Sequence, residues 1–246
     1  MRWLEQWYEL TMLQLRTLRM EALFISIINV AFVFGFVLGV GYIAGGAISQ
    51  TTALYLTTGA ATNSVVFIGL VSLPQILATA KYHGRLDFMR TLPVSREAYL
   101  LAQATAVGII GLPSIVFAIV VGWWRYGLDL HPDPRLALVI PLAALAFAGV
   151  GAAIGILVPR MQLANAIAQL MIFYVVFFAP VMLPKEQLPD VLQFTARLLP
   201  PSYAADGLRA TLTDLPGTNL GLSLGALAGF AVASMTAASL ALRRRG

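Results

Sequence analysis

Residues 22–80 read ALFISIINVAFVFGFVLGVGYIAGGAISQTTALYLTTGAATNSVVFIGLVSLPQILATA and contain no Asp, Glu, Lys, Arg or His. A helix needs about 20 apolar residues to cross a hydrocarbon core of about 30 Å. This run therefore holds two crossings, with Gly45, Gly46, Gln50, Thr51 and Thr52 marking the turn between them. Four more charge-free runs follow, at 98–124, 136–159, 161–184 and 215–242, each long enough for one crossing. The spans are placed at 22–43, 53–80, 98–122, 136–158, 163–183 and 219–242. Little of the 246 residues is left for a soluble domain, and no internal repeat or low-complexity linker divides them. Residues 1–246 read as a single transmembrane domain.

Composition agrees, with 59% apolar and 11% charged residues, far from the balance of a soluble domain. There is no cysteine, which excludes disulfides and thiolate metal sites. His83 and His131 fall in loops on opposite predicted sides and cannot share a metal. A net charge of +5 could suggest nucleic acid, but the distribution points to a membrane. With both termini on one side, that side carries eleven basic residues: Arg2, Arg16, Arg19, Lys81, Arg85, Arg90, Arg96, Arg160, Arg243, Arg244 and Arg245. The other side carries five: Arg125, Arg135, Lys185, Arg197 and Arg209. Basic residues favour the cytoplasmic side, so both termini are expected in the cytoplasm of a multi-pass protein of the plasma or inner membrane.

The N-terminal apolar run begins only after 21 residues and is too long for the core of a signal peptide. The first 20 residues read instead as an amphipathic helix at the inner surface. Leu4, Tyr8, Leu15 and Leu18 recur at helical spacing, with Trp3 and Trp7 beside them. A partly ordered tail is the competing reading.

The most informative polar segment is 81–97, Lys-Tyr-His-Gly-Arg-Leu-Asp-Phe-Met-Arg-Thr-Leu-Pro-Val-Ser-Arg-Glu. Apolar residues at 86, 89 and 92 give a short helix one apolar edge, Pro93 ends it, and Ser95 can cap the next span. From the residues alone it is either an ordinary positive-inside loop or a short surface helix able to dock a cytoplasmic partner.

The run Gly84-Arg85-Leu86-Asp87-Phe88-Met89-Arg90-Thr91-Leu92-Pro93-Val94 is similar to a loop of ABC transporter permeases of the type-2 exporter family. That pattern is roughly Gly-Thr-Leu-Glu, an apolar residue two further on, then Pro-Val. Gly84, Leu86 and Pro93 match, Asp87 stands for the Glu and Met89 for the apolar position, while Arg85 replaces the Thr. The acidic residue often found upstream is absent. The resemblance implies that this loop is a coupling helix contacting a separate ATPase, through Gly84, Arg85, Leu86, Asp87, Met89, Arg90 and Pro93. Residues 180–212 resemble the outer region between spans five and six of the same family, a short helix, a break and a second helix. Pro200, Tyr203, Asp206 and Arg209 occupy its marked places. Here Pro200 and Pro201 break the chain, Ser202 is a plausible N-cap, and Asp206 and Arg209 stand three apart and can pair.

The fold expected is thus an all-α integral membrane protein. It has six transmembrane helices, an N-terminal amphipathic interfacial helix, a cytoplasmic coupling helix between spans two and three, and a short outer helix-break-helix between spans five and six. No Gly-x-x-x-x-Gly-Lys-[Ser/Thr] loop occurs, so any ATP and Mg belong to a partner ATPase and this chain is expected to bind no cofactor or metal and to have no catalytic residues. No span carries two titratable residues, which argues against a proton relay or intramembrane catalysis. Span two carries Thr57, Thr58, Thr62, Asn63 and Ser64, and span five Asn165, Gln169, Phe173, Tyr174, Phe177 and Phe178. The resemblance implies that these two spans face the cavity of a dimer. Thr62, Asn63, Asn165, Gln169, Phe173 and Phe177 are the substrate-path candidates, with interhelical packing as the alternative. Small residues at 217, 221, 225, 229, 233, 237 and 241 form a ridge on the last span, expected to pack closely within the protomer, with a dimer seam as the alternative.

The function expected is the permease subunit of an ATP-driven exporter, moving a hydrophobic or amphipathic compound such as a drug or antibiotic by alternating access. A polysaccharide or lipid exporter and a non-transport membrane scaffold or assembly protein are the alternatives. The partners expected are a separate ABC ATPase, a second copy of the chain or a related permease, the bilayer and a small amphipathic substrate, with no nucleic acid.

Overall fold

The computed structural model describes residues 2–43, 48–91, 93–179, 181–183, 188–213, 215 and 217–244, with the side chains of 2, 40, 41, 43, 87, 90, 91 and 244 excepted. Among them the chain is helical throughout and has no strand. Helix α1 (Arg2–Thr17) leads into α2 (Arg19–Ile43). Then come α3 (Gln50–Phe67), a π-helical turn (Ile68–Ser72) and α4 (Leu73–Tyr82), which together form one crossing. The short α5 (Arg85–Thr91) precedes α6 (Arg96–Tyr126), α7 (Leu136–Leu157) and α8 (Met161–Phe178). Last are α9 (Asp190–Leu198), α10 (Pro200–Leu212) and α11 (Leu220–Arg244). Six of these segments are long and apolar enough to cross a membrane. The chain is a multi-pass membrane protein.

The turn inside the first run is placed differently from the expectation. Gln50, Thr51 and Thr52 already belong to α3, because the Ser49 hydroxyl accepts the Thr52 N–H at 3.1 Å and caps the helix there; Gly45 and Gly46 lie outside the described residues. The second crossing is the centre of the molecule: 89% of its most apolar window is buried, against 17% for α2 and α8. It is also broken. Pro74 supplies no N–H, and the helix widens into the π turn just before it.

Helix α7 packs closely on both neighbours through glycines. A Cβ on Gly155 would lie 2.8 Å from the Leu77 Cβ of α4; one on Gly151 would overlap the Gly69 carbonyl oxygen, and one on Gly149 the Ser234 hydroxyl of α11. The small-residue ridge of α11 does not make this contact. Nothing lies within 4 Å of a Cβ built on Gly225 or Gly229, and Gly221, Ala233 and Ala237 are also exposed. The buried face of α11 is Ser223, Leu227, Ala231, Ser234, Ala238, Ala241 and Leu242, so of the ridge only Ala241 is buried. A period of four says which residues share a face, not which face is covered. Gly151→Ala should therefore lower the thermal unfolding midpoint, costing about 1–3 kcal/mol through forced backbone displacement. Gly225→Ala should leave it unchanged or raise it, with a helix-propensity gain of up to about 1 kcal/mol.

Helix α1 forms as expected but divides its apolar residues. Trp7 and Leu10 pack inward, as does Leu18 just past the helix end, and the Trp7 indole N–H donates to the Thr105 hydroxyl at 3.2 Å. Trp3, Leu4, Tyr8 and Leu13 remain exposed, where amphipathic rings suit a headgroup zone. The single apolar stripe anticipated through Leu4, Tyr8, Leu15 and Leu18 is thus split between two surfaces.

Candidate functional site

The short helix between the second and third crossings is held by three devices. Gly84 takes a left-handed φ of 70°, which a glycine adopts without steric cost, and it turns the chain after α4; its carbonyl accepts the Phe88 N–H at 3.0 Å. Leu86 is buried and Met89 packs against the same core, so α5 is seated by residues three apart. Beyond α5, the Gln6 amide of α1 grips the exit loop: its Nε2 donates to the Pro93 carbonyl and its Oε1 accepts the Ser95 N–H, each at 3.4 Å. Ser95 caps α6 by accepting the Ala98 N–H at 3.2 Å. Nearby, the Lys81 ammonium donates to the Val158 carbonyl at 2.7 Å, a cation at the negative end of α7.

Arg85 and Phe88 stand on the open side of α5, and Phe88 is 64% exposed. Pro93 is exposed. The side chains of Asp87 and Arg90 lie outside the described residues, as does Leu92. Phe88 was not among the sequence candidates. The signal was available, because an aromatic between the two inward positions 86 and 89 must face away from them.

At the opposite end of the bundle α9 and α10 form the helix-break-helix. Helix α10 starts at Pro200, not at Ser202: two prolines occupy its first turn, where a missing N–H costs nothing, and Ser202 is buried inside the helix. Tyr203 closes the break, its hydroxyl donating to the Arg197 carbonyl at 2.6 Å. Asp206 and Arg209 do pair, at 3.1 Å. What the sequence did not foretell is that Arg209 is buried, at 2% exposure. Its Nε donates to the Thr58 hydroxyl at 3.0 Å, its Nη2 to the Val181 carbonyl, and the guanidinium sits 3.9 Å from the centre of the Tyr55 ring. Burial pulls its pKa down, while the Asp206 charge, Tyr55 and the Asp206 hydrogen bond hold it up. The residue joins α10, α3 and the segment after α8.

The substrate-path candidates separate. Thr62 and Asn63 are buried within the single chain, and the Thr62 hydroxyl donates to the Thr58 carbonyl at 2.8 Å. Helix α8 is instead peripheral, with Ala164, Ala168 and Val175 as its buried residues. Gln169, Phe173 and Phe177 are exposed along one face, Phe177 at 65%. Asn165, on the same face, is half-buried with its amide oxygen unpartnered. Tyr174 and Phe178 stack with centroids 4.8 Å apart.

Residues 5–213 match the family described as ABC-2 type transporter. The chain belongs to that family. Among its relatives, Nodulation protein J of Rhizobium meliloti (strain 1021) is 26% identical over 219 residues, covering 87% of this chain and 82% of that protein. Nodulation protein J of Rhizobium leguminosarum bv. trifolii is 28% identical over 230 residues, with the same shares covered. As an ABC-2 type transporter the chain is a membrane-embedded transport subunit, not itself catalytic, and the family normally pairs with an ABC ATPase.

Proposed function

We propose that this chain is the permease of an exporter for an amphipathic compound with an uncharged polar portion and an apolar portion. Two copies enclose the pathway, and a separate ATPase that binds ATP and Mg drives it through α5. The termini and α5 lie in the cytoplasm, as the basic asymmetry favours, and α9 and α10 lie outside. The observation that carries the cargo reading is the uncovered face of α8. Amide side chains at Asn165 and Gln169 lead along one stripe to Phe173 and Phe177, with no titratable residue among them. An ion would find no charged ligand there, whereas a molecule with a polar head and an apolar body finds both kinds of contact. In this reading the buried Thr62 serves packing and hydrogen bonding and the buried Asn63 serves packing, not the pathway wall.

The relatives are nodulation proteins, a name that speaks for neither drug nor antibiotic efflux. A drug-like cargo thus rests on the chemistry of α8 alone, and a glycan-bearing lipid satisfies that chemistry equally well. The test is Phe177→Ala in the complex reconstituted with its ATPase, challenged with an amphipathic drug and with a lipid-linked oligosaccharide. Because Phe177 is 65% exposed, its truncation should spare assembly and basal ATP hydrolysis. It should shift the half-maximal concentration of the true cargo by about tenfold, some 1.4 kcal/mol. Loss of assembly without a separable cargo effect would assign Phe177 to a packing interface instead.

A further inference from the structure

A cleft of about 190 Å³ opens where α1, α4, α5 and α6 meet. Its lining includes Gln14 and Thr17 of α1, Arg85 and Phe88 of α5, and Tyr99 and Gln103 of α6. Gln103 is 1% exposed, yet neither its Nε2 nor its Oε1 has a hydrogen-bond partner. Native proteins rarely leave both atoms of a buried amide orphaned, and doing so is costly. Arg85 has no ion-pair or hydrogen-bond partner among the described residues. Among the described residues no carboxylate lines the cleft. The remaining walls are largely apolar.

The location narrows the ligand. The cleft borders α1, whose outer face exposes Trp3, Leu4, Tyr8 and Leu13, and it lies at the end of the third crossing, seven residues from the first residue of α6. This is headgroup depth, where a lipid's phosphate, ester oxygens and first methylenes sit together. A volume of this size admits that junction of a lipid but not its chains. We propose that the cleft binds an anionic phospholipid of the leaflet on the α5 side. The phosphate faces Arg85, the buried Gln103 side chain turns into the cleft so that its amide N–H donates to a glycerol-ester carbonyl and its Oε1 accepts from headgroup water, and the chains leave along the apolar wall beside α1. A lipid held there bridges the amphipathic helix, α5 and α6, so the leaflet's composition would bear on the segment that the proposed function assigns to the ATPase.

The test reads binding and not transport, so it stands or falls separately from the cargo reading. The permease–ATPase complex in detergent is titrated with short-chain phosphatidylglycerol, with phosphatidylcholine of the same chain length, and with inorganic phosphate, following the thermal unfolding midpoint. A ligand that binds the native state raises that midpoint saturably. Phosphatidylglycerol should do so at about tenfold lower concentration than phosphatidylcholine, and phosphate should not. Gln103→Leu should raise the ligand-free midpoint, since an orphaned amide is replaced by an apolar group, while weakening phosphatidylglycerol about tenfold. Arg85→Glu should abolish the preference for the anionic lipid, and Arg85→Lys should keep most of it. Equal action of phosphate alone would make this a free-anion site. Equal action of both lipids, or an unchanged response in Gln103→Leu, would likewise overturn the proposal.

Discussion

Replacing Arg209 with Ala is expected to destabilise the fold more than any other single truncation, by about 3–5 kcal/mol. The guanidinium satisfies four neighbours at once: Asp206, the Thr58 hydroxyl, the Val181 carbonyl and the Tyr55 ring. Removing it takes the Arg209 ion pair from the Asp206 carboxylate, which is 16% exposed, and strands the Val181 carbonyl. The loss combines the broken ion pair, the Val181 carbonyl left without its donor and the cavity where the side chain stood. Arg209→Lys should recover little, because one ammonium cannot reproduce the planar fork that reaches three acceptors. Arg209→Met with Asp206→Asn should recover more than Arg209→Met alone, since the second change removes a charge that has lost its Arg209 pair. Thermal unfolding of the purified protein and its level in the membrane fraction check all four variants. A wild-type midpoint for Arg209→Ala would mean that α10 is not pinned to α3 through this residue.

Arg209 also marks the boundary of what the sequence disclosed. Its pairing with Asp206 is local, three residues apart on one helix, and was readable. Its other partners are not, since Thr58 is 151 residues away and Val181 is 28 away. Nothing in a single sequence says that a cation on the side poor in basic residues is buried against a threonine. The spans were legible for the opposite reason. Bilayer thickness is an external ruler that fixes the length of a charge-free run, and the expected 136–158 is observed as Leu136–Leu157. The ruler says nothing about depth of packing, so it did not disclose that Thr62 and Asn63 sit in the most enclosed crossing. It also left open which small residues meet a neighbour. The glycines at 149, 151 and 155 carried that signal in their irregular spacing, while the more regular ridge lies on a face of α11 that is exposed from Gly221 to Ala237.

The second large effect is expected at Phe88. Leu86 and Met89 hold α5 from beneath and the Gln6 amide holds the loop behind it, so the helix is a rigid perch. Phe88 stands out from it with 64% of its surface open. An aromatic anchor on a rigid element fits a partner's pocket, where its truncation typically costs about 2 kcal/mol or more, roughly thirtyfold in affinity. Phe88→Ala should therefore leave the permease folded and inserted, yet weaken its co-purification with the ATPase and cut transport while the ATPase alone keeps its basal hydrolysis. Asp87→Ala with Arg90→Ala should act in the same direction through charge complementarity, and mainly on the rate of association. Leu86→Ala must behave differently. It removes a buried side chain, so it should lower the unfolding midpoint by an amount consistent with about 2–5 kcal/mol and loosen α5 as a consequence. The perch must also face the cytoplasm. In this cysteine-free chain, a cysteine at exposed His83 should resist an impermeant thiol reagent applied to intact cells, whereas one at exposed Phe194 should react. Reaction at position 83 would place α5 outside and remove the ATPase from its reach, and unchanged co-purification of Phe88→Ala would move the contact to another part of the loop.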